Sequence, residues 1–131
     1  HPIKLSKPEK LVYSAHEYGP EVHDQDWFTA ASFPDNLVEV WDKHFSFIMK
    51  EGLGHILIGE FGIKDPKYLD GKTGEWFDKL LKTMGSSASW TFWCWNPNSG
   101  DTEGILKYDW VTTQEWKIDA LKPHLAPMIG Q

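Results

Sequence analysis

The residues with chemistry to offer sit at the ends of apolar runs. Glu60 closes Ile56-Leu57-Ile58-Gly59-Glu60-Phe61-Gly62, a place where a charge is costly unless it is put to use. The glycines around it, Gly59 and Gly62, let other backbone or a ligand come close. His16 and Tyr18 close an earlier run, Leu11 to Tyr18, and Trp93 lies near the end of a third, Ser89 to Trp95. A period of two puts His16 and Tyr18 on one face of the first run, and Ile56, Ile58 and Glu60 on one face of the second. Convergence of the carboxylate, the imidazole and the phenol is therefore geometrically easy. There are 8 Trp in the chain, more than a core of this size needs, and flat aromatic faces are surfaces on which sugar rings pack their apolar C–H groups.

Composition limits what such a group could serve. The 131 residues, 40% of them hydrophobic, fit a single globular segment spanning 1–131 and not a disordered one. A formal net charge of −6 argues against a nucleic-acid partner, because phosphate binding needs Lys and Arg. One cysteine, Cys94, leaves no internal disulfide and no cysteine-built zinc site. His23, Asp24 and Asp26 form a polar cluster without metal-ligand spacing, so no metal is expected. No stretch reaches membrane-spanning length and no basic-then-apolar signal segment occurs, so no membrane partner is expected. A start at His1 rather than Met reads as a processed or cut product.

These runs need elements to hold them. Leu11 to Tyr18 alternates as a strand, followed by a long loop from Gly19 to about Asp35 that holds Trp27, Phe28 and Phe33. Between Asn36 and Glu51 the apolar residues Leu37, Val40, Trp41, Phe45, Ile48 and Met49 recur at helical steps, with Asn36 and Glu39 spaced as a capping box. The Glu60 strand, a loop from Gly62 to Lys72 and a helix from Thr73 to Met84 follow. The third strand sets Thr91, Trp93 and Trp95 against Trp90, Phe92 and Cys94. After a loop from Asn96 to Val111, a Thr112/Glu115 capping pair opens a last helix that ends near Leu121. Trp41 and Trp76 fall on helical stripes and are assigned to packing, Cys94 to a small buried apolar site.

Strands alternating with helices of this size predict parallel βαβ units, an α/β fold whose sheet is covered on both faces. Three such units with long loops at the strand carboxyl ends resemble part of a (β/α)₈ barrel, which needs about 250 residues. Alone, this portion would leave two sheet edges and an inner apolar face unpartnered. His16, Tyr18, Glu60 and Trp93 all lie at carboxyl ends, the rim where barrels place catalytic residues.

Three segments carry a more specific resemblance: Leu11-Val12-Tyr13-Ser14-Ala15-His16-Glu17-Tyr18, Gly59-Glu60-Phe61-Gly62, and Trp90-Thr91-Phe92-Trp93-Cys94-Trp95-Asn96-Pro97-Asn98-Ser99-Gly100-Asp101. In this order they closely resemble the bacterial cellulases of glycoside hydrolase family five, over nearly the whole chain, as the last three βα units (strands six to eight) of a TIM (β/α)₈ barrel. The resemblance implies a secreted retaining endo-β-1,4-glucanase with Glu60 as nucleophile, a chemistry that needs no cofactor. Tyr18 would hydrogen-bond Glu60, and His16 would support the acid/base and a sugar hydroxyl. Trp93 would be the platform under the sugar at the cleavage point, with Trp95, Asn96 and Trp27 as further substrate-binding candidates. A core role for Trp93 and Trp95 is the alternative reading of the same residues.

A retaining glycosidase uses two carboxyl groups, a nucleophile and an acid/base, and their division of roles implies a bell-shaped pH profile. In the family the acid/base Glu follows an Asn on the fourth strand, and no Asn-Glu pair occurs in this chain. Glu17 alternates away from His16, while Asp65, Asp101 and Glu103 lie on loops. The expected partner is therefore a separate polypeptide carrying the N-terminal strands and the acid/base, so that the chain alone is inactive and the assembly acts on a β-glucan. In Asp101-Thr102-Glu103-Gly104 the chain carries Glu103 where the family more often has glycine, a departure expected to alter a loop near the substrate. Two alternatives stand beside this reading: a noncatalytic Trp-rich carbohydrate-binding module, and a related enzyme acting on xyloglucan, mannan or mixed-linkage glucan. The strand-helix alternation argues against the module, since small sugar-binding modules are usually all-β.

Overall fold

The computed structural model describes residues 3–85 and 87–127. Three parallel strands form one sheet in the order β1-β2-β3: β1 is Val12–His16, β2 is His55–Glu60 and β3 is Ser89–Trp90. Helical segments return the chain between them: α1 (Leu37–Trp41), a π-helical turn (Asp42–Ser46) and α2 (Phe47–Lys50) after β1, α3 (Lys72–Met84) after β2, and α4 (Glu115–Leu121) after β3.

The helices bury the stripes read from sequence. Leu37, Trp41 and Phe45 line the first, and Trp76, Phe77, Leu80, Leu81 and Met84 line α3. They pack on the side of the sheet that carries Tyr13, Ala15, Ile56 and Ile58. Trp41 and Trp76 are buried in this layer, as their spacing predicts. Neither capping box forms. Asn36 is already helical and its Nδ2 donates to the Trp27 carbonyl (2.9 Å), tying the loop to the helix. The last helix is capped at Gln114, without a side-chain bond, while Thr112 is held by Asp109.

The opposite side of the sheet is open, and it is not the apolar face expected. Val12, Ser14, His16 and His55 are exposed there. At the amino ends of β2 and β3 a groove of about 1240 Å³ runs between His55, Ala88, Trp90 and Leu125.

One feature of β2 departs from simple alternation and matters for the site. The β1/β2 ladder runs Val12↔His55, Tyr13↔Ile56, Ser14↔Leu57, Ala15↔Ile58 and then His16↔Glu60, skipping Gly59. An extra residue on one strand turns the next side chain to the other face. Glu60 therefore does not share a face with Ile56 and Ile58, which are buried against the helices; it joins His16 on the open side. A Cβ on Gly59 would overlap Ser14 Oγ, so a larger residue in the bulge would force the serine hydroxyl to turn away.

Glu17, next to His16, points the other way, where the Trp76 indole Nε1 donates to its Oε1 (3.2 Å). Burial raises the Glu17 pKa, and the Trp41 and Trp76 indoles offset this only in part. A carboxyl raised on folding lends stability while protonated and loses it as pH rises through the folded value. Glu17→Gln is expected to gain in stability relative to the unaltered protein between pH 4 and pH 7, read by urea unfolding at both values. A pH-independent difference would refute this.

Candidate active site

The bulge and the sheet register bring three of the sequence-read residues together. Glu60 Oε2 accepts a hydrogen bond from the Tyr18 hydroxyl (2.9 Å) and lies 3.2 Å from His16 Nδ1. Oε1 accepts no hydrogen bond among the described residues. The Glu60 side chain is 30% exposed, open to the same side as His16. Burial raises the Tyr18 pKa most, and the hydrogen bond to Glu60 and the Glu60 charge raise it further, so the phenol stays protonated and donates.

The third wall follows β2 beyond the end of β3. The expected strand Ser89 to Trp95 pairs regularly only at Ser89–Trp90, because the bulge in β2 interrupts the even spacing of a parallel ladder. Its backbone nevertheless stays alongside, with Thr91 N donating to Ile58 O (3.0 Å) and Trp93 N to Phe61 O (2.8 Å). Thr91 Oγ1 also reaches the Gly59 carbonyl (2.6 Å), fixing the bulge from the third strand. The Trp93–Cys94 peptide is cis. Trp93 and Trp95 are 44% and 62% exposed in this chain, while Trp90 and Phe92 pack edge-on against Phe61 at 5.5 and 5.4 Å. Cys94 is buried.

Asn96 is exposed in the loop that leaves this wall, its side chain bonded to Asn98. Trp27 is not brought to this group: its ring packs edge-on against Phe28 (6.0 Å) and His44 (5.4 Å) on the helical layer. Sequence reasoning missed Gly59 as the bulge that turns Glu60 and Thr91 as its anchor. The glycine before the carboxylate was the available signal.

Glu21 and Glu103 are engaged apart from Glu60. Glu21 accepts from the amides of Lys64 (2.5 Å) and Asp65 (3.1 Å). Glu103 Oε2 accepts from Gln114 (3.2 Å), and its Oε1 lies 3.9 Å from Lys64 Nζ. No group of three or more potential metal ligands occurs among the described residues.

The sequence and fold that hold this group are matched in known proteins. The family model for cellulase (glycosyl hydrolase family 5) matches residues 1–99. The chain belongs to the cellulase family, glycosyl hydrolase family 5. An endoglucanase of Paenibacillus polymyxa is 38% identical over 131 residues, covering 99% of this chain and 33% of that protein. The major extracellular endoglucanase of Xanthomonas campestris pv. campestris is 38% identical over 117 residues, covering 86% of this chain and 23% of that protein. An endocellulase of Pyrococcus horikoshii, solved in complex with cellotetraose, superposes with a TM-score of 0.79 at 41% identity, covering 89% of this chain and 32% of that one. The family 5 chain thus spans about a third or less of the curated relatives it matches. Its three parallel strands and their helices are part of a TIM barrel, as the sequence predicts.

Proposed function

We propose that residues 1–131 are the C-terminal part of the catalytic barrel of a retaining endo-β-1,4-glucanase, with Glu60 as its nucleophile. The observation that carries this reading is the asymmetric hold on Glu60: Tyr18 and His16 both meet Oε2, leaving Oε1 free to attack. In a double displacement the free oxygen bonds to the anomeric carbon while a second carboxyl, about 5 to 5.5 Å away, protonates the departing glycosidic oxygen. That group then takes a proton from water, which releases the sugar from Glu60 with overall retention. Trp93 offers the exposed face for the sugar ring, with Trp95 and Asn96 beyond it. Trp27 is left out of this binding surface.

Glu17 is turned to the helices and Glu21 and Glu103 are engaged elsewhere, and the acid/base is assigned to the remainder of the barrel, outside residues 1–131, which also supplies the remaining strands. The open inner face and the groove beside His55 and Trp90 are the surfaces it covers. An extracellular site of action, as named for the Xanthomonas relative, belongs to the same proposal. The parallel, helix-backed sheet leaves no support for a noncatalytic all-β module.

The chain alone is expected to be inactive on soluble β-1,4-glucan, and turnover is expected once the rest of the barrel is added, with the β-anomer appearing first by NMR. Turnover by the lone chain, or an α-anomer first, would overturn the proposal. Tyr18→Phe is expected to lower kcat by about 10- to 100-fold, the loss of a hydrogen bond to a charged group, while substrate binding persists. Unchanged kcat would mean that Tyr18 does not aim Glu60.

A further inference from the structure

Lys117 is wholly buried, an unusual place for lysine, and none of the chemistry above uses it. From α4 its Nζ donates to the carbonyls of Thr102 (2.9 Å) and Gly104 (3.0 Å). The ammonium also lies 5.4 Å from the centre of the Trp116 ring and 6.0 Å from that of Phe92, contacts favourable to a cation. Gln114, one turn earlier, donates to the same Gly104 carbonyl (3.0 Å) and to Glu103 (3.2 Å).

The segment so gripped is pressed against the backbone of the tryptophan wall. Ile105 N donates to Cys94 O (2.8 Å) and Leu106 N to Trp95 O (2.9 Å). A Cβ on Gly104 would lie 2.7 Å from Trp95 O and overlap the Asn96 carbonyl. Any movement of residues 102–104 is therefore passed to residues 94–96. Glu103 adopts left-handed backbone (φ 52°), which costs a side-chain-bearing residue free energy unless its surroundings hold it. Gln114 and Lys64 supply that hold, and Lys64 Nζ also donates to the Gly100 carbonyl (3.3 Å).

We propose that Lys117 is a positioning residue for the Trp93–Trp95 sugar platform, its ammonium clamping residues 102–104 against the platform backbone. The proposal rests on the reading of that wall as a glucan-binding surface. Loss of the charge frees the wall and weakens glucan binding without touching Glu60. Burial lowers the Lys117 pKa to about 8; Glu103 of the gripped segment, Cys94 of the tryptophan wall and Glu21 of the first loop oppose this, and Lys64 reinforces it. The clamp is thus charged at neutral pH and released above it, a dependence that a purely space-filling lysine would not give.

The test is the Kd of a β-1,4-linked glucose tetrasaccharide for the Glu60→Gln form of the barrel containing residues 1–131, from pH 6.5 to 9.5. Binding is expected to weaken roughly tenfold across pH 8, the scale of a hydrogen-bonded charge. Lys117→Met is expected to bind at the weaker level at every pH. Should that variant fail to fold, Glu103→Gln decides: removing the main opposing charge moves the step to lower pH. A flat profile, an unmoved step in Glu103→Gln, or full affinity in a folded Lys117→Met would overturn the clamp. Trp93→Ala separates the underlying reading, since undiminished binding in that variant would remove the platform itself.

Discussion

Glu60→Gln in the barrel containing residues 1–131 is expected to lower kcat by roughly 10⁴-fold or more, the scale seen when a covalent nucleophile is removed. The amide keeps the volume of the side chain and an oxygen that can still accept the Tyr18 hydrogen bond, so the strand end and its bulge are retained. What disappears is a carboxylate able to form the glycosyl ester. Tetrasaccharide affinity is expected to stay within a few fold, because the sugar is held by the exposed tryptophan face and not by Glu60. Steady-state kinetics and direct binding read the two effects separately. Retained turnover would end the nucleophile assignment, and joint loss of binding and turnover would point to a folding defect.

Gly62→Ala is expected to be the most damaging change outside the chemistry. A Cβ at this buried position would overlap the Trp93 carbonyl oxygen and lie 3.1 Å from both Cβ and Cγ2 of Thr102. The carbonyl is backbone and cannot swing aside, since Trp93 N is bonded to Phe61 O (2.8 Å) from the neighbouring strand. Relief must come from moving the whole Trp93–Trp95 wall away from Glu60. Such overpacking costs about 1–3 kcal/mol or more in stability, and an ångström of displacement between platform and nucleophile costs roughly 10²-fold in kcat/KM. Gly100→Ala is the matched control: nothing lies within 4 Å of its added carbon, and its effect is expected within about 0.5 kcal/mol. Urea unfolding and kcat/KM of the two variants check this. Equal behaviour would show that the Gly62 contact does not position the wall.

The sequence carried the fold well, because hydrophobic period is a direct record of burial. The stripes through Trp41 and Trp76 and the alternation of strand and helix were legible in the residues alone, and so was the rim placement of His16, Tyr18 and Glu60. Alternation misplaced Glu60 on the face of Ile56 and Ile58, because a one-residue bulge at Gly59 leaves no mark in a hydrophobic pattern. Ser89 to Trp95 read as one strand because its residues alternate, yet pairing depends on a partner whose ladder the same bulge interrupts. Neither cap spacing formed, since Asn36 is drawn to the Trp27 carbonyl and Thr112 to Asp109, contacts set by tertiary structure. Lys117 gave no signal at all: a lysine in a short helix looks solvated until the carbonyls of Thr102 and Gly104 are seen around it.

The most direct measurement is covalent capture. A 2-deoxy-2-fluoro β-glucoside oligomer with a good leaving group, incubated with the barrel containing residues 1–131, slows hydrolysis of the glycosyl ester so that it accumulates, and peptide mass analysis locates it. One adduct per active site, on the peptide that carries Glu60 and absent in Glu60→Gln, is the expected result. An adduct on another carboxylate, or full turnover of the parent substrate with no trapped ester, would contradict Glu60 as the nucleophile.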